Sequence, residues 1–250
     1  MLRPINLLKK LKACLKVLST TIKVLGPPDI MTDITTTSYA SIANMLTLQL
    51  EKQGMQTTSR LGLVKALHNK NVTIFDGLSK DVFVDNLPQK FVDALTESIL
   101  NGEDGDSLAE LECMPERAKA FLHKPDTLPS NINSTYGPKI ARQLPHIVAE
   151  LNRDNSTRRA SMQILQEQDL LLLGNDALSN VEFSCTLSYN FSVLQGKLHM
   201  TAIMRSQNIR LFLLDCHIQN ALAKKVADAT NCSLGDHHIY MLNLHKYQNA

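Results

Sequence analysis

The sequence predicts a single α/β (α+β) domain over residues 1–250, and three observations point to it. Residues 181–204 read as two period-two strands joined by a turn, a β-hairpin. Segments of helical spacing stand before and after that hairpin. The chain has 250 residues with a 44% hydrophobic fraction, enough to bury one large core.

The elements follow in order. Leu7, Leu8, Leu11, Leu15 and Leu18 mark a helix over 5–25, ended sharply by Gly26-Pro27-Pro28. Residues 38–53 again have helical spacing, and Asn71–Phe75 (NVTIF) is a short β-like run. Residues 76–133 are the least constrained stretch. LNGEDGDSLAE is acidic and contains glycine, and KPDTLPSNINS is rich in Pro, Asn and Ser. This stretch is read as an insertion at about 77–133 holding one helix near 88–101. Its weak periodicity argues against a separate domain.

Beyond Tyr136 the patterning is stronger. Ile140, Leu144, Ile147, Val148 and Leu151 form a helix face, and ASMQILQ reads as a strand. In VEFSCTLSYNFSVL the residues Phe183, Cys185, Leu187, Tyr189, Phe191 and Val193 alternate and are expected on one face. Gln195-Gly196 supplies the turn, and KLHMTAIMRS returns with Leu198, Met200 and Ala202 on one face. Ile218, Leu222 and Val226 mark a helix over 215–230.

Composition narrows the function classes. The net charge is +2, which does not suit a strongly basic nucleic-acid binder, and no nucleic-acid partner is expected. A local cluster of arginines suffices for a small anion. Five cysteines, at 14, 113, 185, 216 and 232, form no C-x-x-C pair and are odd in number. That argues against a disulfide framework and for a reducing, cytoplasmic compartment, the host cytoplasm if the chain is viral. No apolar run approaches the ~20 residues of a membrane span. The opening MLRPINLLKKLKACLKVL is basic and amphipathic, but it lacks a continuous apolar core and a small-residue cleavage site. It is read as a first helix rather than a targeting segment.

Several side chains carry chemical potential. A strand cysteine such as Cys185 is either a nucleophile activated by a neighbouring cation or dipole, or a small buried core residue. Ser156-Thr157-Arg158-Arg159 and Met204-Arg205-Ser206 offer guanidinium forks and hydroxyls suited to phosphate oxygens. Each could equally be a solvated surface arginine. Cys232, His237, His238 and His245 match no standard zinc spacing, and adjacent histidines on a strand point to opposite faces, so no metal site is expected. Gly-rich phosphate loops and a G-x-S-x-G elbow are absent.

Taken in order, Tyr136-Gly137, S-T-R-R (156–159), Cys185, Gly196-Lys197-Leu198, Arg205-Ser206 and His245-x-Tyr247 resemble the thymidylate synthase and pyrimidine-nucleotide hydroxymethylase family. Cys185 lies eleven residues before Gly196, as that family's nucleophile does. YGPKI, TRRA, SCTLS and MRSQN are similar to the YGPRI, SRRA, PCTLS and MRSND of one branch. LHNKNVTIFD resembles the family's L-H-x-N-x-V-T-I-W-D segment. The likeness covers 134–250 well and about 36–76 in patches.

The resemblance implies a mixed β-sheet flanked by helices and a two-fold dimer packed sheet to sheet. It implies transfer of a one-carbon unit from 5,10-methylenetetrahydrofolate to C5 of a pyrimidine nucleoside monophosphate, through a covalent adduct of Cys185 with C6. Arg205 and Ser206 would hold the 5′-phosphate, and Arg205 would also favour the Cys185 thiolate. Arg158 and Arg159 would reach the phosphate of the neighbouring subunit. His245 and Tyr247 would bind the sugar hydroxyl, and Tyr136 would join the proton relay beside the base. Asp215, nearest the family's base-reading asparagine, tilts the choice toward a cytosine nucleotide, since a carboxyl that keeps its proton pairs with the amino group and N3. A helix N-cap just before 216–230 is the other role open to Asp215.

Departures from the pattern stand beside this. The catalytic glutamate of S-I-I-x-E falls nearest Met45, with Glu51 the only acid close by. The tryptophan of T-I-W-D is Phe75, the histidine after the nucleophile is Thr186, and the aspartate after R-S-x is Asn208. Phe212-Leu213-Leu214 replaces a small Gly-Leu-Pro stretch, and the closing C-terminal segment is missing. The alternative expectation is therefore a catalytically impaired relative, a nucleotide-binding or structural dimer. A chance match on an unrelated α/β domain is the third.

Overall fold

A computed structural model describes residues 34–59, 62–85, 87–103, 136–170 and 184–248. All of these fall within one compact unit, Asp33–Ala250. The helix expected over 5–25 lies outside the described residues, as do 104–133, the latter part of the expected insertion, and Phe183, the first residue of the expected strand face.

The elements are β1 (Ile34–Thr36), α1 (Tyr39–Gln53), β2 (Met55–Ser59), β3 (Gly62–Ile74), α2 (Gln89–Asn101), α3 (Tyr136–Arg153), β4 (Ser161–Gln163), the short α4 (Glu167–Leu170), β5 (Thr186–Leu194), β6 (Lys197–Met204), β7 (Gln207–Asn208), α5 (Phe212–Thr230) and β8 (Ser233–Tyr247). Among the described residues, eight strands form one mixed open sheet in the order β1-β3-β8-β6-β5-β4. β2 shares an edge of β3 with β1, and β7 shares an edge of β8 with β6. The β3–β8, β4–β5 and β5–β6 pairs are antiparallel, and β6–β8 is parallel.

The core lies on one face of this sheet. Leu198, Met200, Ala202 and Met204 alternate along β6 and are all fully buried. Ala202 pairs with Ile239 and Tyr189, and Met204 with Met241, so the apolar row continues across strands. Helices α2, α3 and α5 pack on the β4–β5–β6 half through Phe91, Leu95, Ile140, Leu151, Leu222 and their neighbours. Helix α1 and the other side of α5 cover the β3–β8 half through Ile42, Leu46, Leu50, Phe212 and Cys216. The opposite face, with Thr201, Ile203, His238 and Tyr240, is half-buried.

Local chemistry explains most boundaries. Ser38 caps α1 by accepting from the Ser41 amide. Gly102 ends α2 in the left-handed conformation at φ 80°. The β5–β6 turn places both Gln195 (φ 53°) and Gly196 (φ 77°) in the left-handed region, the pattern of a type I′ hairpin turn.

Three expectations are corrected. The NVTIF run is only the end of a 13-residue strand, β3, whose alternation is interrupted at Asn69, a left-handed residue that the β8 pairing skips. The single face expected from Cys185 through Val193 is broken by a bulge between Thr186 and Ser188. Tyr189 and Phe191 face the core as expected. Thr186 takes the core position opposite Met204, and Cys185 is left half-buried just ahead of the strand. Finally, the last long helix starts at Phe212, not after Asp215. Asn208 caps the preceding 3-10 turn by accepting from the Arg210 amide, and Asp215 becomes a first-turn helical residue rather than an N-cap.

Candidate functional site

The ends of β5, β6, β7 and α5, with the start of α3, bring six of the nine expected site residues together. The Arg205 amide donates to the Cys185 carbonyl at 2.8 Å, and Arg205 Nε donates to the Ser184 carbonyl at 2.9 Å. The arginine is thus anchored to both Ser184 and Cys185. The Thr186 amide donates to the Tyr136 hydroxyl at 3.2 Å, and that hydroxyl donates to Thr186 Oγ1 at 3.3 Å. Thr186 Oγ1 lies 3.2 Å from Met204 Sδ and 3.5 Å from the Tyr189 hydroxyl.

Tyr136 is fully enclosed. Burial pushes its phenol well above the usual range, with the fields of Cys185, Tyr189 and Asp215 adding to the effect. Those three groups therefore lie within electrostatic reach of the Tyr136 hydroxyl. Burial also pushes the Asp215 carboxyl up to about 7, against a hydrogen bond that Gln207 Nε2 donates to Oδ2 at 2.6 Å. A carboxyl in that range can both donate and accept near neutral pH. Cys216, the neighbouring thiol, is buried and pushed up, which keeps it a thiol and a core residue.

β8 supplies the next side. β7 lies beside it with Gln207 opposite Leu244 and Asn208 opposite His245. Ser206 Oγ consequently stands 3.4 Å from His245 Nδ1. His245 is buried, and its ring meets Tyr247 edge to face at 5.2 Å between centroids. The set Cys185, Tyr136, Arg205, Ser206, Asp215 and His245 forms one contiguous neighbourhood, with Tyr247 at its margin.

Arg158 and Arg159 are elsewhere in this chain. Both are exposed in the loop between α3 and β4. The adjoining Ala160 carbonyl accepts from the Phe191 amide, six residues along β5 from Cys185, roughly 20 Å at strand rise. Met45 is 42% exposed on α1. Glu51 is held in an exposed pair with Lys246 at 3.1 Å. Phe212 and Leu214 are core side chains.

Sequence reasoning passed over Gln207, Gln219 and Tyr189. Gln207 bridges to Asp215, and Gln219 approaches Met204 Sδ at 3.7 Å from the next turn of α5. The signal was present: Asp215 and Gln219 are spaced i, i+4 and so share a helix face. Among the described residues no helix is long and apolar enough to cross a membrane. No family model matches this chain and no curated protein matches it; what the site can do has to be read from its own geometry.

Proposed function

We propose that the chain binds a pyrimidine nucleoside monophosphate and catalyses one-carbon transfer to its C5, with Cys185 as the nucleophile. The observation that carries this reading is the gathering of Cys185, Tyr136, Arg205, Ser206, Asp215 and His245 around one end of the sheet. A thiol, a guanidinium with a hydroxyl, a proton-holding carboxyl and a buried imidazole match the parts of such a nucleotide: C6, phosphate, base edge and sugar hydroxyl.

In this mechanism Cys185 Sγ bonds to C6, and the C5=C6 electron pair moves to C5 and the O4 or N4 position of the ring. Arg205 and Ser206 neutralise and orient the phosphate. His245 and Tyr247 position the sugar, and the Tyr136–Thr186 hydroxyl pair lies where a proton can be passed beside the base. Asp215, with its carboxyl near 7, favours cytosine, donating to N3 while accepting from the amino group. Methylenetetrahydrofolate, when bound, would supply the one-carbon unit, and in the methyl case the hydride as well. The C5 proton would then leave and the C6–S bond break, returning the Cys185 thiolate, with water addition giving a hydroxymethyl product and hydride addition a methyl product. The half-buried face of the sheet and the exposed Arg158 and Arg159 support a homodimer, packed sheet to sheet, in which these arginines complete the partner's phosphate site. A cytoplasmic location suits such a substrate.

A second reading is a nucleotide-binding dimer without turnover. It is favoured by Met45, exposed where the resemblance puts a catalytic glutamate, and by Glu51, engaged with Lys246. The two readings separate on 5-fluoro-dUMP and 5-fluoro-dCMP, each with and without methylenetetrahydrofolate, followed by intact-protein mass spectrometry. Fluorine cannot leave C5 as a cation, so a productive complex stays covalent. An adduct supports the enzyme; nucleotide binding without any adduct supports the second reading; neither overturns both.

A further inference from the structure

The other end of the β6–β8 pair carries a cluster that the nucleotide site does not use. His199, Asp236 and His238 each present one ligand-type atom, and these atoms lie within 4.8 Å of one another. In the sequence His199 is far from the other two. The parallel pairing of β6 with β8 joins them, and its register shifts between Leu198 and Met200. Such a bulge re-aims a side chain. Here Gly235 lets the His199 ring approach so closely that a Cβ at 235 would meet it at 2.9 Å. Asp236 and His238, two residues apart on β8, point to the same face.

The geometry points to a site for one divalent first-row transition ion, of which Zn2+ fits best, held by His199, Asp236 and His238. His199 Nδ1 and Asp236 Oδ2 are 3.4 Å apart, and the Asp236 amide donates to the same Nδ1 at 3.1 Å, a hydrogen bond that a bound ion would displace. Two ligands at about 2.1 Å from a tetrahedral ion stand about 3.4 Å apart, and the third ligand atom lies within 4.8 Å of both.

Two outer contacts are of the kind a metal site uses. His238 Nδ1 is paired with Thr73 Oγ1 at 3.0 Å, and in the tautomer that donates from Nδ1 to this hydroxyl, Nε2 is the lone-pair donor. Asp236 Oδ1 accepts from the Asp76 amide at 2.8 Å, which leaves Oδ2 for the ion. The cluster borders an open cavity of about 400 Å³, lined by His199 and Asp236 with Asp76 and Lys197, which gives space for a water on the fourth position. Two imidazoles and one carboxylate with an open position suit Zn2+ over the all-oxygen demands of Mg2+ or Ca2+.

The test is a Co2+ titration of the untagged, chelator-treated full chain, read by visible d–d absorption. One equivalent per chain is expected, with no thiolate-to-cobalt band in the near ultraviolet. Zn2+ should displace it. Asp236→Asn, which keeps the acceptor for the Asp76 amide, and His238→Asn should each abolish the band while retaining the wild-type far-ultraviolet dichroism. Thr73→Val, removing only the outer partner, should weaken binding roughly 10–100-fold. Sub-stoichiometric binding, a thiolate band, or a d–d band unchanged in both folded ligand variants would overturn the site. Nucleotide adduct formation plays no part in the readout, so the two proposals fail separately.

Discussion

The β6–β8 pair carries polar groups at both of its ends, and their surroundings differ. At the Met204 end Asp215, Tyr136, Tyr189 and Gln219 are enclosed by helices α3 and α5, and the carboxyl holds a proton up to about 7. At the His199 end His199 and Asp236 keep 14% and 24% side-chain exposure beside an open cavity. His237 and His238 draw the same line within two residues. His237 is fully buried against Tyr39, and its ring is driven down to about 3, whereas His238 turns to the half-buried face. One sheet thus provides a dry end, where proton affinities are reset by desolvation, and a wetter end, where the side chains border an open cavity.

The largest effect expected at the dry end is all-or-none: Cys185→Ala should remove any 5-fluoronucleotide adduct while leaving Co2+ binding at His199 intact. An adduct on the variant would break the assignment, and loss of both functions would break the independence of the two ends.

Next in size is a pH effect. The folded Asp215 pKa lies above its ordinary 3.8, so the folded state binds the extra proton between about 4 and 7. Stability from this group is therefore present at low pH and falls by about 4 kcal/mol as pH rises through that window. His237 works in the opposite sense. Its folded value is about 3 against 6.5, so its contribution rises with pH between those values and offsets Asp215. Asp215→Asn should remove the fall, and thermal melts should then show the variant gaining on wild type from pH 4 to 7. Parallel profiles would contradict the buried, proton-holding Asp215.

Arg205→Ala should weaken nucleotide monophosphate binding by roughly 10–100-fold, equivalent to about 1.5–3 kcal/mol for a charged hydrogen-bonding group. The matching nucleoside, without phosphate, should lose far less; equal losses would remove the phosphate role. The smallest effect belongs to the turn beyond the wet end. Gly196 has φ 77° and nothing within 4 Å of an added Cβ, so Gly196→Ala carries only backbone strain, about 1 kcal/mol. Calorimetry should show a melting point about 2–4 °C lower.

How much was legible differs by region. The hairpin, the helix near 88–101 and the helix after Tyr136 were readable because Phe191, Leu198, Met200, Phe91, Leu95 and Ile140 repeat at the period of their element. β2 and the first half of β3 were not, because Met55–Ser59 offers little apolar alternation and Asn69 interrupts the rest. Of the site, Cys185, Arg205, Ser206 and His245 could be placed by order along the chain, since each is carried by a motif. Asp215 could be singled out too, but its partners Gln207 and Gln219 were passed over, because the i, i+4 spacing of Asp215 and Gln219 shows a shared helix face and only burial shows that these amides meet the carboxyl's surroundings. The His199–Asp236–His238 cluster was hidden for a similar reason. It depends on a parallel register and a bulge, which no local pattern reveals.

The central claim is that Cys185 attacks the pyrimidine ring. Its most direct test is tandem mass spectrometry of peptides from protein trapped with 5-fluoro-dUMP or 5-fluoro-dCMP and methylenetetrahydrofolate. The nucleotide mass should be carried by the peptide containing Cys185, with Cys14, Cys113, Cys216 and Cys232 unmodified. An adduct on any of those four cysteines, or none on a protein that still binds the nucleotide, would contradict it.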